Sequence, residues 1–181
     1  MNELALHIYD IVQNSVRANA DNVWITINED DSLNELKIII RDDGSGMTQE
    51  VARQVRNPFY TTRTTRSVGL GISLFELAAD QCNGFLSLNT ELGVGTTLTA
   101  VFEKDHINRY PLGNMSETIY LLSLGDVNII YSHTINGKTF NYTKAEVLEV
   151  LGEVPLTNID VKVWIEDYIE QNLERLSGNT E

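Results

Sequence analysis

The chain has 181 residues, 42% of them hydrophobic, and carries 13 Lys and Arg against 26 Asp and Glu, a formal net charge of −13. That balance excludes general binding to nucleic acid or to an anionic membrane surface. No stretch approaches the ~20 apolar residues of a membrane helix, the N-terminus has no signal-peptide pattern, and the single cysteine, Cys82, rules out an internal disulfide framework; a cytoplasmic protein with one buried thiol is expected.

In chain order, residues 2–18 read as an amphipathic helix. Leu4, Ala5, Ile8, Ile11 and Val12 recur at helical spacing and form its core face. Glu3, His7, Asp10, Asn14 and Arg17 stack on a second face, which places a carboxylate and a carboxamide one turn apart with a cation just beyond. A solvated polar stripe would look the same. Residues 23–28 alternate and are β-branched, and with residues 35–41 they predict two strands joined by a turn at Asp30, Asp31 and Ser32.

The second strand runs into Asp42, Asp43, Gly44, Ser45, Gly46 and Met47. Two glycines let the backbone turn sharply and approach a flat ligand. A carboxylate can only accept hydrogen bonds, so Asp42 at this turn would select adenine, which offers an amino group, against guanine, which offers a carbonyl. A plain hairpin turn is the competing reading of those six residues. Thr48 then caps a helix over 49–56, which Asn57 and Pro58 stop.

A second glycine pair, Gly69 and Gly71, follows a basic segment holding Thr61, Thr62, Arg63 and Arg66 and opens a helix over 70–81, marked by Leu70, Leu74, Leu77 and Ala78. Free N–H groups at such a helix start, with nearby hydroxyls and guanidinium groups, suit a polyphosphate. Together with Arg53 and Arg56 these arginines make a locally basic mouth in an acidic chain. Beside an adenine pocket, the amide oxygen of Asn14 could complete the shell of a Mg²⁺ that also holds phosphates, and Asp10 could orient or deprotonate an attacking water or hydroxyl. Strands at 85–90 and 96–102 flank a turn at 91–95. The expected architecture is a mixed sheet with helices on one face.

Beyond residue 102 the composition changes. Residues 106–114, with Pro111 and Gly113, read as a linker ending at a capping signal before a short helix at 116–124. Strands at 127–134 and 138–142 flank Asn136-Gly137, a strong hairpin signal. Thr143 with Glu146 predicts a capping box for a helix at 144–151, and Thr157 with Asp160 a similar start for a helix reaching Leu176, with Ile165, Ile169, Leu173 and Leu176 on one side. Trp164 and Tyr168 on that helix could meet a partner, although packing into the core is the plainer reading. The division expected is 1–104 and a small α+β appendage at 105–181 that could bind a partner.

The sequence resembles the GHKL superfamily of ATP-binding domains, shared by gyrase, the ninety-kilodalton heat-shock chaperone, histidine kinases and MutL. Four motifs match in the family's order over about residues 2–102: DIVQNSVRANA, Asp42 with Gly44 and Gly46, PFYTTRTTRSVGLGI, and Gly95-Thr96-Thr97. The resemblance implies the Bergerat α/β sandwich, Asn14 on Mg²⁺, adenine contacts at Asp42 with Thr97 nearby, and phosphate contacts at Arg63, Gly69, Leu70 and Gly71. It further implies that Arg17 takes the place of the phosphate-binding lysine of sensor kinases. Asp10 stands where the hydrolases of the family carry glutamate, one methylene longer. No segment resembles a phosphoacceptor-histidine helix, and His106 and His133 have no metal-ligand spacing. A GxxxxGK[ST] loop is absent, as are the third glycine and the preceding strand of a dinucleotide fingerprint.

The function expected is phosphoryl transfer from Mg-ATP to water or to a protein partner, with Asp10 as catalytic base, ATP bound by Asn14, Arg17, Asp42, Gly44, Gly46, Met47, Thr62, Arg63, Gly69, Leu70, Gly71 and Thr97, and residues 57–68 as a closing cover. A non-hydrolysing ATP-sensing module is the alternative, and a scaffold with a decayed pocket is disfavoured because all four motifs keep their side chains. Neither nucleic acid nor membrane is an expected partner; a homodimer is left open.

Overall fold

The computed structural model describes residues 3–56 and 70–178. Among the described residues six helices, α1 (Leu4–Arg17), α2 (Gln49–Gln54), α3 (Leu70–Asp80), α4 (Met115–Ser123), α5 (Lys144–Leu151) and α6 (Ile159–Ser177), accompany six strands. These are β1 (Asn22–Asp30), β2 (Glu35–Asp42), β3 (Phe85–Glu91), β4 (Gly95–Glu103), β5 (Asn128–Ile135) and β6 (Lys138–Thr143). They form one mixed sheet in the order β3-β4-β2-β1-β5-β6, all antiparallel except β1 against β5. The fold is α+β, as the alternation of periods predicts.

Strand alternation explains why the helices crowd one side. Val23, Ile25 and Ile27 of β1 share a face with Ile38 and Ile40 of β2, with Leu98 and Ala100 of β4, and with Ile129 and Tyr131 of β5, and all are buried. Over them lie Leu4, Ile8, Ile11 and Val12 of α1, Phe75 of α3, Ile119 of α4, and Ile165 and Ile169 of α6, in one continuous apolar cluster. The opposite face is polar or half-exposed apart from the buried Val101, with the Arg41 guanidinium 5.0 Å from the Trp24 ring centre.

Residues 105–178 continue this sheet. Asn22 to Glu29 pair in parallel with Asn128 to Ile135, and α4 packs on α1 and α6. The linker helps to dock them: Leu4 and Ala5 donate their N–H groups to the carbonyls of Pro111 and Leu112, satisfying donors at the start of α1, where Glu3 provides no side-chain cap. The change in composition near residue 104 thus falls inside one sheet and one apolar cluster.

Several local expectations are corrected. His7 belongs to the buried side of α1, 2% exposed, stacked between Phe75 and Tyr110 with ring centres 5.1 and 6.3 Å away. The linker brings Tyr110 over what would otherwise be the polar stripe. The α4 helix is capped where the linker was expected to end at a capping signal, by Asn114, whose side chain accepts from the Glu117 N–H, but α6 is capped by Asn158, which accepts from the Asp160 N–H, in place of Thr157. Thr143 makes no side-chain cap, because it is still extended and paired with Ile130 as the last residue of β6. Trp164 and Tyr168 remain half-exposed, stacked on each other. Thr48 does cap α2, accepting from the Val51 N–H. Cys82 is buried, and burial pushes its thiol pKa up.

Candidate functional site

Where β2 ends beside α1, a cavity of about 300 Å³ opens, within the lower range of small-molecule sites. Its floor is apolar, with Ile11 of α1, Ile40 of β2, Leu88 of β3, Leu98 of β4, Val55 after α2 and Ile72 of α3, and its polar groups converge from α1, the turn after β2, and β4. A flat, slightly polar ring suits such a lining better than a sugar or a peptide would.

Asp42 is the polar anchor, 8% exposed. Its Oδ1 accepts the N–H groups of Gly44 at 3.0 Å and of Thr96 at 3.2 Å, and its Oδ2 accepts the Ser15 hydroxyl at 2.7 Å. A carboxylate oxygen takes about two such bonds. Oδ1 is therefore filled, and Oδ2 keeps one acceptor direction for a donor in the cavity. The turn that follows is fixed from both sides. Asp43 receives the N–H groups of Asp21 and Asn22 and the Asn22 amide, each at 2.8 Å. Desolvation opposes ionisation of Asp43, and those hydrogen bonds outweigh it, so its pKa falls below the usual range.

Glycine is required at two positions of this turn. At Gly46, with φ +62°, an added Cβ would lie 1.9 Å from the Glu91 carbonyl oxygen; at Gly44 it would press on the Ala18 carbonyl at 2.9 Å. The Ser45 N–H donates to the Ala18 carbonyl at 2.8 Å, which ties the turn to the end of α1.

Asn14, Arg17, Asp42, Gly46 and Met47 line the cavity together, while Gly44 supplies its N–H to Asp42. Asn14 and Arg17 are exposed at the rim, where the Arg17 guanidinium donates to Asn14 Oδ1 at 2.9 Å. Asp10 does not line the cavity. It stands against the start of α3, where a Cβ on Gly71 would be 3.6 Å from the Asp10 Cβ. Leu70 begins α3. Thr61, Thr62, Arg63, Arg66, Gly69 and the cover at 57–68 lie outside the described residues.

Thr97 does not line the cavity. In the β2–β4 register Thr96 faces Asp42 and Thr97 faces Arg41, so Thr97 points to the open side of the sheet with Arg41 and Trp24. Thr96 lines the cavity and binds Asp42 through its N–H. Sequence reasoning also missed Ser15 and Ser45. The signal for Ser15 was its spacing, four residues after Ile11 and three after Val12 on the face of α1 that turns inward.

Asn14 offers its amide oxygen at the rim of the cavity, where one or two protein oxygens could meet a metal. Mg²⁺ is commonly held in that way, by one or two protein oxygens together with phosphates and waters. Among the described residues no helix is long and apolar enough to cross a membrane.

Residues 2–106 match the family model described as "Histidine kinase-, DNA gyrase B-, and HSP90-like ATPase". The chain is similar to sporulation kinase C of Bacillus subtilis, 28% identical over 100 residues, covering 55% of this chain and 23% of that protein. It is also similar to the sensor protein SrrB of Staphylococcus aureus, 33% identical over 82 residues, covering 42% of this chain and 14% of that protein. The chain thus spans about a quarter or less of the curated relatives it matches. Among solved structures, the N-terminal domain of a DNA repair protein superposes with a TM-score of 0.57 at 14% identity, covering 84% of this chain and 58% of that one, a likeness of fold.

Proposed function

Since this chain belongs to the histidine kinase-, DNA gyrase B- and HSP90-like ATPase family, we propose that its ATP lies with adenine over Asp42 and that the γ-phosphoryl group passes to water or to a partner protein. The observation that carries this reading is the Asp42 carboxylate, buried, filled on one oxygen and open on the other at the end of an apolar slot. Adenine offers one amino hydrogen to that oxygen and two flat faces to the surrounding aliphatic side chains. Thr96 and Ser15 hold the carboxylate in place for the base.

Asn14 would hold Mg²⁺, which when bound neutralises phosphate charge. The Arg17 guanidinium, now on the Asn14 amide oxygen, is placed to turn toward a phosphate oxygen when that oxygen is taken. Asp10, on α1 against the start of α3, would accept the proton of the attacking water or hydroxyl, while ADP departs with the bridging oxygen. Residues 57–68, with Thr62 and Arg63, would close over the phosphates, and Gly69 and Gly71 would bring N–H groups toward them. Such chemistry belongs in the cytoplasm, where Mg-ATP is available.

A second reading, nucleotide sensing without turnover, is favoured by one observation: Asp10 lies outside the cavity wall. Phosphate release by wild type and Asp10→Asn, measured with Mg-ATP and candidate partner proteins, separates the two. Turnover that falls by about 100-fold or more in Asp10→Asn supports the enzyme. Equal silence of both proteins, with ATP still bound, establishes the sensor.

A further inference from the structure

The two edges of the sheet are finished differently. On β3, outward carbonyls are covered by α2 and its end: Arg56 Nη2 donates to Leu86 O at 3.2 Å and Gln49 Nε2 to Thr90 O at 3.3 Å. On β6, among the described residues, the backbone pairs only with β5. The two-residue turn at Asn136-Gly137 makes Ile135 and Lys138 a hydrogen-bonded pair. Alternation along the ladder then turns the N–H and C=O of Thr139 and Asn141 outward. Both residues are exposed, and the strand has no proline, no bulge and no charge besides Lys138 at the turn. Natural edges normally carry such protection.

Beside this edge α6 presents Trp164 and Tyr168, 43% and 42% exposed, stacked at 5.9 Å with 14° between their planes. Tyr168 stands edge-on to Phe140 of β6 at 5.5 Å. The other flank of α6 faces α4, where Lys162 lies over the Tyr120 ring. The free strand edge and the aromatic pair are therefore one surface.

We infer that this surface joins two copies of the chain, with β6 of one pairing antiparallel to β6 of the other about a two-fold axis at Phe140. Such an axis makes the patch complementary to itself. Thr139 of one copy then faces Asn141 of its mate, and each exchanges its outward N–H and C=O. Because Tyr168 stands against Phe140, the two α6 helices meet antiparallel near Tyr168. The last turn of one, with Arg175, comes opposite the first turn of the other, with Asp160. Opposite charges meet there at helix ends whose dipoles also oppose. This pairing selects a second copy over a foreign strand. The exposed acids Asp167, Glu170 and Glu174 project from the outer side of α6, away from the mate.

Sedimentation velocity of the full chain over about 1 to 200 μM tests this, a range that brackets micromolar self-association. Two variants accompany it: Asn141→Pro, which removes an outward N–H and leaves the β5–β6 ladder intact, and Trp164→Glu, at a half-exposed position. Wild type should shift from monomer toward dimer, and each variant should weaken that association by roughly tenfold or more with unchanged circular dichroism. A wild type that stays monomeric throughout overturns the inference, as does a dimer that both variants form equally well. Should proline disturb the hairpin, Trp164→Glu alone decides.

Discussion

Replacing Asp42 with asparagine alters one atom and reverses one hydrogen bond. The amide oxygen can keep the Gly44 and Thr96 N–H groups, which puts the new NH₂ where Oδ2 stood, toward Ser15 and the cavity. The Ser15 hydroxyl can rotate to accept from it. Adenine cannot, since its own amino group is a donor, so ATP loses a hydrogen bond to a charged acceptor and meets a second donor. Such a bond contributes about 1.5–3 kcal/mol, roughly 10- to 150-fold in Kd. Guanine presents a carbonyl at the same place and gains what adenine loses. Calorimetric titration of Mg-ATP and Mg-GTP into wild type and Asp42→Asn, with melting curves to confirm folding, should show the ATP preference shrink by at least ~10-fold. Equal losses for both nucleotides, or an unchanged ATP Kd in a folded variant, would refute adenine recognition by this carboxylate.

Three further outcomes follow from the geometry. Thr97→Val should leave ATP affinity within about twofold, whereas Thr96→Pro, which removes the N–H held by Asp42 Oδ1, should lower it by about 1–3 kcal/mol, checked in the same titrations. His7 has no hydrogen-bond partner on either ring nitrogen among the described residues, and burial lowers its pKa; the folded state therefore resists a proton that the unfolded chain accepts below about pH 6.5, and stability falls as pH drops through that value. His7→Phe should raise the melting temperature by about 2–6 °C and remove that slope, as read by melting curves between pH 5 and pH 8, about. Glu29 accepts from His133 Nε2 at 2.9 Å and pairs with Lys104 at 3.1 Å, and the His133 hydrogen bond leads the causes that hold its carboxyl below the usual range against desolvation. That stabilisation is whole above about pH 4.3 and lost as pH falls through the lower folded-state value, so Glu29→Gln should be less stable by about 1–3 kcal/mol at pH 7, with a gap that narrows in acid unfolding curves.

The amino-acid sequence determined by itself whatever depends on neighbours in the chain. Helical spacing marked α1 and α6, alternation marked β1 and β2, Asn136-Gly137 marked the last hairpin, and Asp42 with Gly44 and Gly46 marked the turn at the cavity. Each of these is a short-range requirement of backbone geometry, so it leaves a local trace. What the tertiary structure decided is which partner each face meets. The linker carries Tyr110 over His7 and so buries a residue whose spacing reads as polar. Register against β2 puts Thr96, not Thr97, beside Asp42, because a shift of one residue in a strand reverses its face. Parallel pairing of β1 with β5 joins residues 105–178 to the same sheet. Contacts of that kind form between segments remote in the chain, where spacing within either segment carries no record of the other.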